Sequence, residues 1–233
     1  MSEAERTLRR ILIGAASFAD AESALRIAER IVGPLVADLG GLMMEDTTVA
    51  ALVGGPGRRI VATSGAVVVA PSARDFGLVV ASQARAFETR LARLAEAHTL
   101  RWSFERRAGE LVAGLFAAAR EWDLLVVGQC RVHRHGGRVI LLEPPAGAAS
   151  PARMLAETVA GALATSVVPL SSPAPTPADV TTLLDRISRA SAAAVVADLT
   201  AGPLRGEAEL RRLVEAARAP VFVIGADSAP APA

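Results

Sequence analysis

The residues best suited to chemistry are concentrated in one short segment, residues 129–138, which reads QCRVHRHGGR. The segment holds one cysteine, two histidines and three arginines: Cys130, His133, His135, Arg131, Arg134 and Arg138. Arginine and histidine neutralise phosphate or carboxylate groups, so the segment could bind an anion. The C-x2-H-x-H spacing could instead supply three metal ligands, but a fourth ligand is missing and the arginines would repel a cation. A solvated connecting loop is the favoured interpretation.

Polar residues also follow two of the predicted strands. Ser17 stands just after the strand Ile11–Ala15, and Asp46 follows the strand Val36–Met44. Parallel sheets bind ligands beyond the carboxyl ends of their strands, so both residues are candidates for such a site. Ser17 is an equally good helix-initiating residue, and a strand that runs into a turn is the favoured interpretation of Asp46.

Catalytic motifs are missing from the sequence. It contains no H-E-x-x-H, no G-x-S-x-G, no Walker loop and no S-G-G-x-D-S loop. A nucleophilic Cys130 would need a histidine oriented by an Asp or Asn, and no such residue is suitably placed. An enzyme that uses Cys130 or the histidine pair is therefore the third hypothesis, behind two non-catalytic ones.

The segment Leu100–Gln129 is the clearest structural unit, and it predicts strand, helix, strand. Side chains alternate over residues 101–106, apolar residues recur at helical spacing over 111–119, and 123–127 is a short apolar run. Such a run is typical of a strand buried on both faces of a parallel sheet. Trp102 and Trp122 flank the helix, and we expect both to pack at the edge of its contact with the sheet.

The remaining elements follow the same periodicities. We predict helices at Asp20–Val32, Asp75–His98, Asp179–Ala190 and Glu207–Arg218, with Asp75 and Asp179 as N-caps, and further strands at Val167–Leu170, Ala193–Leu199 and Val221–Ile224. Residues 47–72 are predicted to be an insertion that contains a small hairpin turning at Ser64-Gly65. Residues 227–233 are predicted to be a disordered tail.

The chain contains a hidden repeat. Arg10–Leu42 aligns without gaps on Arg138–Leu170, with identical residues that include Ala24 and Ala152. Two unrelated Ala-rich segments are the alternative explanation, but duplication is favoured. We therefore expect a first domain at 1–137 and an abbreviated second domain at 138–226, in which a linker, SSPAPTPA, replaces the insertion and the long helix.

Composition limits the possible partners. The 25 basic residues, all arginine, are balanced by 24 acidic ones, so the net charge of +1 gives no electrostatic reason to expect nucleic acid. The single cysteine excludes an internal disulfide framework, and no apolar stretch is long enough to cross a membrane. We expect a cytoplasmic protein with no signal peptide and no membrane partner.

Three segments resemble the universal stress protein family. ILIGAASFADAESALRIAERI resembles its first strand and helix, GELVAGLFAAAREWDLLVVGQ its third helix and fourth strand, and AELRRLVEAARAPVFVIG its closing helix and strand. The resemblance implies tandem, doubly wound α/β halves with mostly parallel sheets, of the adenine nucleotide alpha hydrolase-like type. The first copy lacks the closing helix and strand, and the second lacks the middle.

In the nucleotide-binding branch of that family, an Asp closes the first strand and a loop G-x2-G-x9-G-[ST] wraps the phosphates of ATP. Here Ala16 occupies the Asp position and Arg131 the second glycine position, while Ser17 and Gly128 match. Because the chain departs from the family pattern at these two positions, we expect no ATP cofactor and no ATP binding of useful affinity.

Two non-catalytic functions follow. The leading expectation is a universal-stress-protein-like regulatory or interaction protein that has lost the nucleotide loop. The alternative is a binding module for an adenine nucleotide or another anion, with candidate ligand residues Ser17, Asp46, Gly128, Arg131, His133 and Arg134. Because an apolar last strand would otherwise leave an open edge, we also expect a homodimer that pairs through Pro220–Gly225, together with an unidentified protein partner.

Overall fold

The fold is taken from a computed structural model that describes residues 8–33, 36–45, 59–61, 67–69, 73–130, 136–143, 150–171 and 176–228. The strands are β1 (Arg10–Ala15), β2 (Asp38–Glu45), β3 (Arg59–Val61), β4 (Val67–Val69), β5 (Arg101–Ala108), β6 (Leu124–Val127), β7 (Arg138–Glu143), β8 (Val167–Ser171), β9 (Ala192–Asp198) and β10 (Val221–Ile224). The helices are α1 (Phe18–Ile31), α2 (Ala73–Ala97), α3 (Leu111–Ala118), α4 (Pro151–Ala162), α5 (Pro177–Arg189) and α6 (Glu207–Ala217).

Eight of these strands form one sheet in the order β5-β2-β1-β6-β10-β9-β7-β8. The first four are mutually parallel, and so are the last four, whereas β6 and β10 pair antiparallel where the two groups meet. This confirms a mostly parallel, Rossmann-like α/β fold. We call β5-β2-β1-β6 the first half and β10-β9-β7-β8 the second half of the sheet.

The last strand lies in the middle of the sheet rather than at an edge. Val223 of β10 is opposite Leu125 of β6 on one side and beside Ala197 of β9 on the other. All four residues of β10 are buried. The expected homodimer through Pro220–Gly225 is therefore wrong, because both hydrogen-bonding edges of that strand are used within the chain.

The two halves pair their strands in the same register. Ile11 of β1 lies beside Leu39 of β2, and Val139 of β7 lies beside Val167 of β8, so each residue of the first pair precedes its counterpart by 128 positions. The helices between these strands also bury equivalent residues: Ala24 and Ala152, Ile27 and Leu155, Ala28 and Ala156. The alignment of the sequence with itself thus coincides with strand pairing and with helix packing.

The equivalence extends to the third strand of each half. Ile11 lies beside Leu124 of β6, and its counterpart Val139 lies beside Ala194 of β9. Counting along both strands, Gly128 after β6 corresponds to Asp198 at the end of β9. The register of β7 is irregular just before Val139, at the amino end of this pair.

Helices cover both faces of the sheet, as the alternation of strand side chains requires. On β1, Ile11 and Ile13 point to the face that carries α1, α2 and α4, whereas Leu12 points to the face that carries α3, α5 and α6. Each face has its own buried apolar cluster, with Phe87 and Phe222 the largest side chains of the first. This is the doubly wound arrangement expected from the sequence.

The outer edges of the sheet are poorly suited to pairing with another chain. On β5, every residue except the half-buried Phe104 is exposed, and Arg101, Glu105 and Arg106 place charges along it. The other edge strand, β8, carries the exposed Pro169, which has no N–H to donate. Charge and proline at sheet edges oppose edge-to-edge association.

Some local expectations need correction. Trp102 is 42% exposed on the edge strand β5, so only Trp122 packs against the core as expected. Helix α2 already begins at Ala73, so Asp75 lies in its first turn rather than at its N-cap. The N-cap of α5 is Thr176, whose Oγ1 accepts the N–H of Asp179 at 3.3 Å.

Two peripheral segments lie outside the eight-stranded sheet. Strands β3 and β4 pair antiparallel as a separate two-stranded sheet, which confirms the hairpin predicted within the insertion, although its turn lies outside the described residues. Ala226–Ser228 form a short 3-10 turn, so Asp227 and Ser228 do not begin a disordered tail.

None of the helices in the described part of the chain is long and apolar enough to cross a membrane.

Candidate functional site

The ends of β1 and β6 form the place where this fold would bind a ligand. From β1 the chain proceeds to β2 and β5 on one side, then returns to β6 on the other side of β1. Ligands of doubly wound sheets bind beyond the carboxyl ends of the strands at such a switch point. Ser17 follows β1 and Gly128 follows β6, so the structure brings these two predicted site residues together.

Ser17 is the N-cap of α1. Its φ and ψ angles are −145° and 162°, and its Oγ accepts the N–H of Asp20 at 3.2 Å. The same hydroxyl donates to Asp20 Oδ2 at 2.5 Å. This S-x-x-D pair is a close relative of the capping box, and it occupies the Ser17 side chain with the start of the helix.

The other oxygen of Asp20 reaches across to the segment after β6. Asp20 Oδ1 accepts the backbone N–H of Cys130 at 2.6 Å. A phosphate-binding loop after this strand would offer its backbone N–H groups to an anion. In this protein, the carboxylate of Asp20 is the anion that receives one of them.

A second side chain of α1 ties down the same segment. The hydroxyl of Ser23 lies 2.5 Å from the carbonyl oxygen of Gln129 and 2.7 Å from that of Asp20. Helix α1 thus offers the residues after β6 one donor, the Ser23 hydroxyl, and one acceptor, the Asp20 carboxylate. This junction is closed by the protein's own groups.

Gly128 is required by close packing at this junction. Its N–H donates to Gly14 O at 2.7 Å, which extends the pairing of β1 and β6. A Cβ added to Gly128 would lie only 2.6 Å from the carbonyl oxygen of Asp20. The glycine that matches the nucleotide-binding pattern therefore has a structural role, since it lets β6 approach the backbone of α1.

The second half has its own switch point between β7 and β9, where carboxylates again occupy the strand ends. Asp198, the counterpart of Gly128, is 5% exposed and accepts Thr200 N–H at 2.8 Å, Thr200 Oγ1–H at 2.6 Å and Ala201 N–H at 3.2 Å. At the end of β7, Glu143 pairs with Arg153 of α4. The carboxylates at these two neighbouring strand ends are thus held by the protein's own donors.

A cavity of about 820 Å³ lies beside Cys130, next to helix α1. Its wall is mostly apolar and includes Phe18, Ile27, Leu163 and Pro220. Cys130 is exposed at this cavity, and Ser23 and Glu22 supply polar groups from α1. No histidine of the described ranges lines it.

Several predicted site residues fall outside the described part of the chain. These are Asp46, Arg131, His133, Arg134 and His135. Their proposed roles in anion or metal binding remain predictions. Within the described ranges, no group of three or more His, Cys, Asp or Glu side chains could hold a metal ion.

Sequence reasoning missed Asp20, whose carboxylate contacts both Ser17 and the backbone N–H of Cys130. The spacing of Ser17 and Asp20 at a helix start is a recognisable capping signal and could have identified the first contact. The contact with Cys130 could not have been found in this way, because the two residues are 110 positions apart in the sequence.

A polar link also joins the two halves on the other face of the sheet. Glu110 is the N-cap of α3 and accepts the N–H groups of Val112 at 3.0 Å and Ala113 at 2.8 Å. Arg211 of α6 donates to Glu110 at 3.0 Å. Burial raises the pKa of Glu110, but these hydrogen bonds and the guanidinium charge outweigh it and lower the pKa below its usual value.

The described residues define a Rossmann-like α/β protein with three of its own carboxylates, Asp20, Glu143 and Asp198, near the carboxyl ends of its strands. No family model and no curated protein matches the chain. Among solved structures, it is similar to the crystal structure of a hypothetical protein, PH0823, at 13% identity and a TM-score of 0.36. That similarity covers 70% of this chain and 94% of the other.

Proposed function

We propose that this chain is a non-catalytic, universal-stress-protein-like regulatory or interaction protein that has lost ATP binding. In this proposal, two degenerate copies of one fold have been fused, and each supplies what the other lacks. Support comes from the common strand register, in which Ile11 beside Leu39 is matched by Val139 beside Val167. The same offset relates the sequences of the two segments.

The central β6-β10 pair supports this view of the architecture. The first half ends at β6 and has no closing parallel strand of its own, and β10 of the second half pairs there in the antiparallel sense. In this proposal, the closing strand of the second copy covers the edge that the first copy leaves open at β6.

Loss of ATP binding is supported above all by one observation, the hydrogen bond from Cys130 N–H to Asp20 Oδ1 at 2.6 Å. A phosphate placed at this junction would have to displace Asp20 and would then lie beside a negative charge. Repulsion between like charges a few Å apart costs on the order of 1–4 kcal/mol near a protein surface. With Arg131 at the second glycine position, the nucleotide loop also lacks one of its glycines.

An interaction role is supported by exposed apolar side chains on α2. Leu78 is 63% exposed and Val79 is 52% exposed, next to each other on the first turns of the helix. Neighbouring exposed apolar side chains can form part of a contact surface. This observation favours a binding role over catalysis, for which the described residues provide no nucleophile with a positioned base.

Titration calorimetry tests the proposal directly. We expect wild-type protein to show no saturable heat with Mg-ATP up to millimolar concentration, whereas micromolar binding would contradict the proposed loss. An Asp20→Asn variant serves as the matched comparison, because it removes the negative charge while it keeps an oxygen for Cys130 N–H. If Asp20 is what excludes phosphates, the variant should bind Mg-ATP more tightly than the wild type does.

The alternative function, binding of another anion near Ser17, Gly128 and Arg131, is tested by the same method with inorganic phosphate. A saturable signal that disappears in an Arg131→Ala, Arg134→Ala double variant would favour this alternative. A signal that survives the double variant would come from another part of the molecule. Absence of any signal leaves the regulatory or interaction role as the better-supported function.

A further inference from the structure

A cavity of about 520 Å³ lies at the amino ends of β7 and β8, on the face covered by α5. Its floor is apolar and consists of Ile140, Val168 and Leu170. The volume falls within the range of small-molecule sites, roughly 300–1,000 Å³. This cavity shares no residue with the Ser17–Gly128 junction or with the cavity beside Cys130.

Three arginines surround the apolar floor. Arg138 starts β7, and Arg186 and Arg189 lie in the last turn of α5. All three are exposed, and among the described residues none of them forms an ion pair with a carboxylate. The described lining of the cavity contains no Asp or Glu, so the positive charge at its rim is uncompensated.

The first half carries two groups at the equivalent place that the second half lacks. Arg10, the counterpart of Arg138, pairs with the carboxylate of Asp123 at 3.2 Å. The indole of the preceding residue, Trp122, covers the sheet at Gly40, where an added Cβ would come within 2.6 Å of its Cζ2 atom. An aromatic ring and a carboxylate from adjacent residues thus cover β1 and β2 and neutralise the arginine.

The second half lacks both groups at the matching position. The residues at the start of β9 that correspond to Trp122 and Asp123 belong to the segment Ser191-Ala192-Ala193, which has neither a ring nor a charge. Val168 stands where Gly40 stands in the first half. Arg138 thus corresponds to Arg10, but the carboxylate and the ring that accompany Arg10 have no counterparts in the second half. The cavity lies where those two groups would be.

We propose that this cavity binds a small aromatic carboxylate. The ring of the ligand lies on Ile140, Val168 and Leu170, where the indole of Trp122 lies in the first half. Its carboxylate accepts hydrogen bonds from Arg138, as Asp123 does from Arg10. A guanidinium presents paired donors that match the two oxygens of a carboxylate, and Arg186 and Arg189 add favourable charge at the rim.

Calorimetric titration of the full chain with indole-3-acetate and with phenylacetate tests the proposal. We expect one saturable site for these acids, and no saturable heat at the same concentrations with neutral indole or with acetate alone. Both the ring and the charge are needed, because each replaces one of the two missing groups. Failure of both aromatic acids to bind at millimolar concentration would overturn the proposal.

Two variants and one control locate the site. Arg138→Gln should weaken binding of the aromatic acids by about tenfold or more, as expected for loss of a charge-assisted pair. Val168→Trp should abolish binding by placing an indole in the cavity, and its thermal unfolding shows whether the fold is kept. Arg10→Gln is the matched control, because Arg10 is already paired with Asp123. Binding that is insensitive to Arg138→Gln, or equally weakened by Arg10→Gln, would contradict the assignment.

The outcome is independent of the proposed loss of ATP binding. The ATP titration probes the junction of Asp20 and Cys130, whereas the aromatic acids probe a cavity at the other half of the sheet. Micromolar ATP binding together with saturable aromatic-acid binding would refute only the proposed loss of ATP binding. If neither ATP nor the aromatic acids bind, only the proposed aromatic-carboxylate site is refuted.

Discussion

Arg211 donates a hydrogen bond to Glu110 at 3.0 Å and so joins the last helix of the chain to the N-cap of a helix in the first half. The contact links α6 to α3 across the face above the β6-β10 pair. Glu110 also accepts the N–H groups of Val112 and Ala113. Its carboxylate thus caps one helix and holds a neighbouring one.

We predict that Glu110→Gln lowers the free energy of unfolding at pH 7 by about 0.5–1 kcal/mol, because the amide keeps one cap oxygen but loses the charge and the second acceptor. The side chain is half exposed, so water screens the Arg211 pair and the cap contributes most of the effect. Because the folded-state pKa of Glu110 is lowered, its stabilisation is present above the unfolded-state pKa and is lost as the pH falls through the folded-state value.

Urea unfolding at a series of pH values checks this prediction. The difference between wild type and Glu110→Gln should be largest near neutrality and should shrink below about pH 4. Glu215→Gln is the matched control, because Glu215 is exposed on α6 and forms no ion pair among the described residues. An equal effect of the two variants would contradict the role given to Glu110.

The position of β10 predicts how the chain responds to a charge in that strand. Val223 is fully buried between Leu125 and Ala197, so Val223→Asp should cost several kcal/mol and yield unfolded or insoluble protein. Circular dichroism and light scattering report the result. Val79→Asp, at a half-exposed site on α2, should change stability by only about 0.5 kcal/mol. A soluble, folded Val223→Asp monomer would contradict the central position of β10.

A substitution at Gly128 distinguishes a packing role of this residue from a ligand-binding role. Gly128→Ala should destabilise the protein by about 1–3 kcal/mol, because the new methyl group would meet the backbone of Asp20. Gly77→Ala is the control, since an added Cβ there meets nothing within 4 Å and alanine favours the helix by about 0.5–1 kcal/mol. Chemical denaturation of both variants decides the point. If Gly128 served only to approach a phosphate, its substitution would leave stability unchanged.

Much of the fold could be predicted from the sequence because its signals are local. Short apolar runs such as Leu124–Val127 indicate strands buried on both faces, and the spacing of Ala24, Ile27 and Ala28 indicates one buried helix face. The alignment of Arg10–Leu42 on Arg138–Leu170 also anticipated two strand-helix-strand units with one register. These features depend on the spacing of apolar residues, which can be read directly from the sequence.

The candidate site was only partly predictable. The sequence pointed to Ser17 and Gly128, but Asp20 became visible only when α1 and the end of β6 were placed side by side. Likewise, Trp102 and Trp122 have similar sequence surroundings, yet one lies exposed on an edge strand and the other packs against the core. Burial of an aromatic side chain depends on strand order, which local periodicity does not specify.

Taken by itself, the sequence determined which segments are strands and helices, which faces are apolar and which two segments are alike, since each follows from hydrophobic spacing. Only the tertiary structure decided that β10 lies between β6 and β9, so that Val223 contacts both halves. It also decided that Arg10 is neutralised by Asp123, whereas Arg138, which lines an apolar cavity, forms no ion pair among the described residues. The physical reason is that strand neighbours and ion pairs depend on contacts between residues far apart in the chain, and several pairings of equally apolar strands satisfy the same local pattern.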